Sequence, residues 1–263
     1  MLKASIFAIG AWIVFVAATA AADTPTSGLH VEGTRFVLAA ADGRTLHGAE
    51  LIGAELDIGD GSTLRIEGLR ADPQDPSGEV LLHRFSVRAG DGAWQNPCEP
   101  DRQGNREGLP IAGRWDADGR FHSDSAHFAL SCTSGAQAKC VRFGYKPWKQ
   151  AADGTALAPL YEACVHMVRA DYCGNGEAST KEGTAIDIFD RHGIQRAETG
   201  ADFRFEAGWS AQGAVCVAHT RIVENLDLDT LAARCPRLRG ALGSDCTEQG
   251  AQARGALVFN RSR

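Results

Sequence analysis

The sequence predicts an α+β fold of mostly antiparallel β hairpins around one central helix, with a disulfide-rich C-terminal part. Short alternating apolar runs separated by glycine turns indicate hairpins, because Asp-Gly pairs supply the positive φ that tight turns need. The stretch from Pro159 carries helical periodicity. All eight cysteines of the 263-residue chain lie at or beyond Cys98, so the first strands must fold on hydrophobic pattern alone.

The chain opens Met1-Leu2-Lys3, runs apolar from Ala4 to Ala18 and reaches Ala20-Ala21-Ala22 before Asp23. These features make residues 1–22 a secretory signal peptide rather than a transmembrane anchor, which needs about 20 apolar residues. No cysteine follows the run directly, so no lipid anchor is indicated. Asp23 becomes the mature N-terminus, and residues 23–28 a flexible leader.

Residues 29–93 read as an antiparallel β domain. Thr34 to Ala39 is one strand, Asp42-Gly43 turns it, and Leu46 to Leu56 continues the strand pattern with glycines between. Asp60-Gly61 turns into Thr63-Leu64-Arg65-Ile66-Glu67, whose strict alternation marks a half-buried strand. A loop from Asp72 to Gly78 leads to a strand from Glu79 to Arg88. Hairpins join these strands with no crossover helix, so the sheet is antiparallel.

Residues 94–246 read as a cysteine-rich domain. Trp94 to Trp115, with Pro97, Pro100 and Pro110, reads as irregular, His127 to Cys132 as a strand, and Gly135 to Gly144 as a turn or two of helix. Pro159, a good first-turn residue, opens the central helix. Leu160, Cys164, Met167 and Val168 fall on one face, and Glu162, His166 and Arg169 on another that reads as solvated, with His166 paired to Glu162. Gly174 and Gly176 end it. Ala185 to Phe189 alternates as a strand, Phe203 to Trp209 and Ala214 to Ile222 form a hairpin, and Asp229 to Arg234 a short helix. Residues 247–263, rich in Gln and Ala, read as a frayed tail.

The cysteines are Cys98, Cys132, Cys140, Cys164, Cys173, Cys216, Cys235 and Cys246. An even number in an exported chain argues for four disulfides in an oxidising compartment. Zinc finds no Cys-x-x-Cys pair and no His at finger spacing, and an even count leaves no odd thiol for catalysis. Spacing does not fix the connectivity. The short loop between Cys235 and Cys246 makes them the first local pair to expect, with Cys98 and Cys132 second.

Lys and Arg number 27 against 33 Asp and Glu, a net charge of −6, and loss of Lys3 with the signal peptide lowers it by one. Both signs are interspersed, so no basic cluster points to nucleic acid. No second apolar run is long enough to span a bilayer, so no stable membrane insertion follows signal cleavage.

Around the central helix, Arg169-Ala170-Asp171-Tyr172-Cys173-Gly174 resembles the motif that names the ADYC domain family of exported bacterial proteins. Ala138 to Trp148, Ala163-Cys164, Gly183 to Asp187 and Gly213 to Val217 support the resemblance, which is specific over Trp94 to Cys246. It implies export and a shared fold. It implies no activity, so no catalytic residue is carried over.

Asp171, Cys173, Asn175, Gly176, Glu177 and Glu182 fall at the ligand and glycine positions of an EF-hand-like loop, which makes Asp171, Asn175, Glu177 and Glu182 calcium candidates. A cysteine among the ligands, and a strand where the second helix should follow, favour a helix C-terminal turn with Asp171 bonded to backbone amides. No metal or other cofactor is therefore assigned. Acid/base candidates are Asp171, His166 and Asp187, with Asp190, His192 and His219 beyond them. Gly208-Trp209-Ser210-Ala211-Gln212-Gly213 misses the Gly-x-Ser-x-Gly spacing, and the chain has neither a phosphate loop nor a dinucleotide fingerprint. The sequence thus favours a periplasmic or secreted non-enzymatic envelope or extracellular binding or structural module of unknown partner. The alternative is a hydrolase-type enzyme using carboxylates and histidine near the central turn.

Overall fold

A computed structural model describes residues 28–263 apart from positions 41, 60 and 199–201. The expected signal peptide, the leader up to residue 27 and Asp60 of the Asp60-Gly61 turn lie outside the described residues.

The chain is α+β, as the sequence predicts. Strands β1 (Leu29–Glu32), β2 (Arg35–Ala39) and β3 (Thr45–His47) form an antiparallel sheet in sequence order. Leu46 to Leu56 is not one strand. Gly48 (φ +58°) and Gly53 (φ +85°) take backbone angles that no strand allows, so a 3₁₀ turn at Gly48–Leu51 separates β3 from β4 (Glu55–Asp57).

β5 (Ser62–Ala71), β6 (Leu81–Ala89) and β7 (Gly108–Ala112) follow, then a two-stranded ribbon, β8 (Arg114–Trp115) with β9 (Phe121–His122), and β10 (Phe128–Cys132). The largest sheet has the order β10-β7-β6-β5-β4, so strands from both sides of residue 93 share it. β5 alternates as its sequence does, with Leu64 and Ile66 buried. They meet Val31, Phe36, Leu51, Leu56 and Phe85 in a core between the first two sheets.

β7 corrects the reading of Trp94 to Trp115 as irregular. It bonds β10 along its whole length but β6 only at His83–Gly108, so Pro110, which has no N–H to give, sits where the ladder to β6 has ended.

Helix α1 (Ala136–Arg142) leads to α2 (Ala158–Arg169), whose Leu160, Tyr161, Ala163, Cys164 and Met167 are fully buried. Fully burying a side chain the size of Leu or Met is worth roughly 1.5–3 kcal/mol, so α2 is a main source of stability. It lies across a further sheet of order β11-β14-β12-β13, built from β11 (Asp187–Asp190), β12 (Arg204–Ser210), β13 (Gly213–Val217) and, after helices α3 (Leu228–Arg234) and α4 (Glu248–Ala253), β14 (Val258–Ser262). β11 begins two residues later than its alternation suggests, and β13 ends at Val217, short of Ile222.

The C-terminal segment is not a frayed tail. Thr247 caps α4 by accepting the Gly250 amide, and β14 is a central strand with Val258, Phe259 and Asn260 buried. Its burial comes from strand partners far away in the chain, which local composition does not reveal.

Four disulfides are present: Cys98–Cys132, Cys140–Cys164, Cys173–Cys235 and Cys216–Cys246. The expected Cys235–Cys246 pair is wrong. The end of α3 brings Cys235 to the turn after α2, and Cys246 follows a 3₁₀ turn at Gly243–Asp245 onto β13. Such crosslinks each contribute about 2–4 kcal/mol. Reduction should therefore open the segment beyond Cys132 first, leaving the unbridged hairpin of β5 and β6 protected; limited proteolysis with and without reductant, with fragments read by mass, checks this.

His83 on β6 is buried edge-on against Phe36, 5.3 Å between centroids, and burial holds its pKa down to about 4. Unfolded, it titrates near 6.5. Its contribution is full at neutral pH and falls by roughly 3 kcal/mol as pH drops from 6.5 to about 4, because the unfolded chain takes up a proton that the folded one refuses. Denaturant titrations across that window should show the fall, and His83→Gln should flatten it.

Candidate functional site

The end of α2 organises this half of the molecule. Ala170 closes the helix at φ +50°, the only non-glycine residue with positive φ among the described residues, and its amide turns back to His166 and Met167. The helix therefore ends at Ala170, four residues before Gly174.

Asp171 then accepts the backbone amides of Gly174 (2.9 Å), Asn175 (3.2 Å) and Gly176 (2.8 Å), and His166 Nδ1–H donates to it at 2.9 Å. Burial works against the charge, yet the His166 contact and these amides outweigh it and hold the Asp171 carboxyl below its ordinary pKa. Gly174 is needed here. A Cβ on it would meet the Gln212 carbonyl oxygen at 2.2 Å, and its φ is +71°.

The expected solvated face of α2 is a correction. His166 and Glu162 are both buried, and they do not pair: Glu162 accepts from Arg120 (2.7 Å) and from the Phe121 amide (3.0 Å). The ribbon of β8 and β9 covers this face, so side chains that look solvent-bound on a helical wheel become internal links. His166 lies edge-on to Trp115, and its Nε2 has no hydrogen-bond partner among the described residues.

Beneath the helix end lies a buried ion pair that the sequence reading missed. Arg221 grips Glu206 with two bonds of 3.0 Å, while its Nη groups donate to the carbonyls of Met167 (2.8 Å) and Val168 (3.1 Å). Tyr172 Oη and Asn260 Nδ2 donate to the remaining positions of Glu206, and Trp209 Nε1 donates to Asn260. Every lone-pair direction of the carboxylate is used, as a buried charge requires. Burial, with the Glu206 charge behind it, pushes the Tyr172 phenol well up. A bulge in β12 between Phe205 and Ala207 sets Glu206 apart from the ladder. The one available signal was a lone acid in the apolar run Phe205 to Trp209. Arg237 holds the same turn from the other side, donating to the carbonyls of Tyr172, Cys173, Gln212 and Ala214.

The sequence-derived candidates do not assemble into one site. Asp171 and His166 are sealed together. Asp187 is buried, accepts the Glu198 amide at 3.0 Å, faces Arg261 at 3.7 Å and lines the main cleft. Asp190 takes the Tyr145 hydroxyl, His192 reaches Asp153 at the surface, and His219 lines a separate shallow depression. Of the calcium candidates, Asn175 accepts the Glu177 amide and Glu182 takes Lys139, while Asp171 is spent as described. Among the described residues no group of three or more His, Cys, Asp or Glu is placed to hold a metal.

The main cleft has a volume of about 630 Å³. Its walls come from the loops around Arg102 and Thr133 that flank β7 and β10, from α1 and Phe143 just beyond it, from the end of α2 at Arg169, and from the chain leading into and out of β11, residues 178–188 and 195–198. Ion pairs fix the seam beside it. Arg142 grips buried Asp72 (2.6 and 3.2 Å), and Lys146 reaches Asp75, Ser77 and Glu79.

Together these features define a disulfide-stapled α+β protein built around a buried helix end, with a cleft at the seam of its two halves. The chain belongs to the ADYC domain family, whose model matches residues 48–223. That match takes in the largest sheet, both helices beside the cleft, the Asp171 turn and Arg221. No curated protein and no solved structure matches the chain.

A structural Asp171 has a definite signature. In Asp171→Asn the new NH₂ must face either the Gly176 amide and His166 Nδ1–H or the other two amides, all of them donors. The variant should lose about 2–3 kcal/mol, equally in calcium and in chelator, and calcium should leave the wild-type melting temperature unchanged. Thermal melts of both proteins check it; a calcium-induced rise abolished by the variant would make the turn an ion site.

Proposed function

We infer that this protein is a non-enzymatic binding module of the periplasm or the extracellular space. Residues 1–22 direct export, residues 29–93 and 94–246 are its two parts and share the largest sheet, and the cleft beside α1 is its ligand site. Four disulfides suit an oxidising compartment. Among the described residues no helix is long and apolar enough to cross a membrane.

The cleft carries this reading. It has the size of a small-molecule site, and polar groups from several segments converge on it. The buried His–carboxylate pair, His166–Asp171, lies outside the cleft, and among the described residues no hydroxyl or thiol is bonded to its Nε2. That arrangement weighs against the hydrolase reading.

N-terminal sequencing of exported protein should begin at Asp23. Equilibrium dialysis against a small-molecule extract of the culture should retain a compound that Ala185→Trp, which fills the cleft, releases. Turnover of ester, phosphoester or glycoside substrates that is lost in His166→Ala would replace the module with the hydrolase.

A further inference from the structure

The charges in the cleft are not those of the chain. The whole sequence carries a net charge of −6, yet Lys and Arg outnumber Asp and Glu along the cleft walls. Internal pairing sharpens the imbalance. Arg142, Arg221 and Lys139 are committed to Asp72, Glu206 and Glu182. Arg102, Arg169, Lys181 and Arg196 also line the cleft, and none has a carboxylate partner among the described residues.

The acids do not restore balance. Asp187 faces Arg261, and Asp101 is spent on the amides of Gln103 and Asn105 and the hydroxyl of Thr133. Glu198 is the one remaining lining acid, against four cations. Two of those cations are also aimed. Arg102 donates to the Gly183 carbonyl across the cleft, and Arg169 to the Gly176 carbonyl. A guanidinium has five donors, so one tether sets the orientation of each and leaves N–H groups free. Uncharged hydrogen-bonding groups, Gln74, Gln103 and Thr184, share the walls.

We propose that the cleft binds a small polyanion, a molecule with two or more carboxylate or phosphate groups on a polar scaffold, held by Arg102, Arg169, Lys181 and Arg196. The proposal rests on the reading of the cleft as the ligand site and names what that site takes. A single anion would engage one or two of these cations and leave like charges facing each other. Two or more anionic groups neutralise them together, and planar guanidinium groups match carboxylate and phosphate oxygens in pairs.

Isothermal titration at low ionic strength tests it with three probes: citrate, inorganic pyrophosphate and the neutral trisaccharide maltotriose. Citrate or pyrophosphate should bind at one site per chain, weaken as salt rises, and lose about thirtyfold in Lys181→Ala/Arg196→Ala, which corresponds to about 2 kcal/mol for the two charge contacts together. Both residues are exposed, so an unchanged melting temperature confirms that the variant folds, and Arg44→Ala, away from the cleft, should bind as the wild type does. Preference between the two anions separates a carboxylate from a phosphate ligand. Binding of neither anion, or equal binding by the double variant, overturns the proposal. If maltotriose binds and Ala185→Trp abolishes it, the cleft stands as a ligand site and only the anionic class fails; if no probe binds and dialysis also retains nothing, the cleft reading itself fails.

Discussion

A helix that ends inside a protein leaves carbonyl groups with no partner, and α2 ends in the core. The Val168 carbonyl is one of those orphans and the Met167 carbonyl has only the Ala170 amide, and the Arg221 guanidinium donates to both. That solution imposes another requirement, because a guanidinium buried there needs a carboxylate, and Glu206 provides it. Glu206 in turn depends on a bulge in β12, on Tyr172 and on Asn260 of the last strand. The C-terminal strand is thus tied to the helix end by the same chain of satisfied polar groups. Replacing any one member leaves the others buried and unpaired, which is the costly case for internal charges.

The turn after α2 is the surface expression of that constraint. Ala170 reverses the chain, Asp171 gathers three amides, and Arg237 gathers four carbonyls, so the backbone polar groups of the turn are largely used. Gly174 admits the β12–β13 turn to van der Waals contact with it, and Cys173–Cys235 fastens α3 on top. The residues that name the family therefore describe a scaffold: Ala170 for the reversal, Asp171 for the amides, Tyr172 for Glu206, Cys173 for the crosslink. Their chemical groups are engaged internally, and Asp171, which resembles a catalytic carboxylate in sequence, serves as a turn anchor.

The cleft lies at the seam instead. The first half of the chain meets the helical half through Asp72–Arg142 and through Lys146 with Asp75 and Glu79, contacts that are part-buried. The cleft opens beside them, between loops of the large sheet, α1 and the stretch that leads into β11. For the ligand site proposed above, ion pairs beside the cleft lower the ordering cost of binding.

The sequence by itself determined the α+β class, the antiparallel hairpins, the start of α2, the presence of four disulfides and the family, because hydrophobic period, glycine turns, cysteine number and a local motif are all short-range signals. It did not determine what those pieces touch. His166 and Glu162 sit where a helical wheel shows a solvated face, and only the ribbon of β8 and β9 buries them. β7 hides behind Pro110, and β14 follows a Gln- and Ala-rich stretch; both are strands because distant partners supply their ladders. Cys235 finds Cys173 rather than its neighbour Cys246 for the same reason. Arg102, Lys181 and Arg196 are ordinary surface charges in one dimension, and they become a cationic cleft only when three separate segments converge, since electrostatic fields add over space and not along the chain.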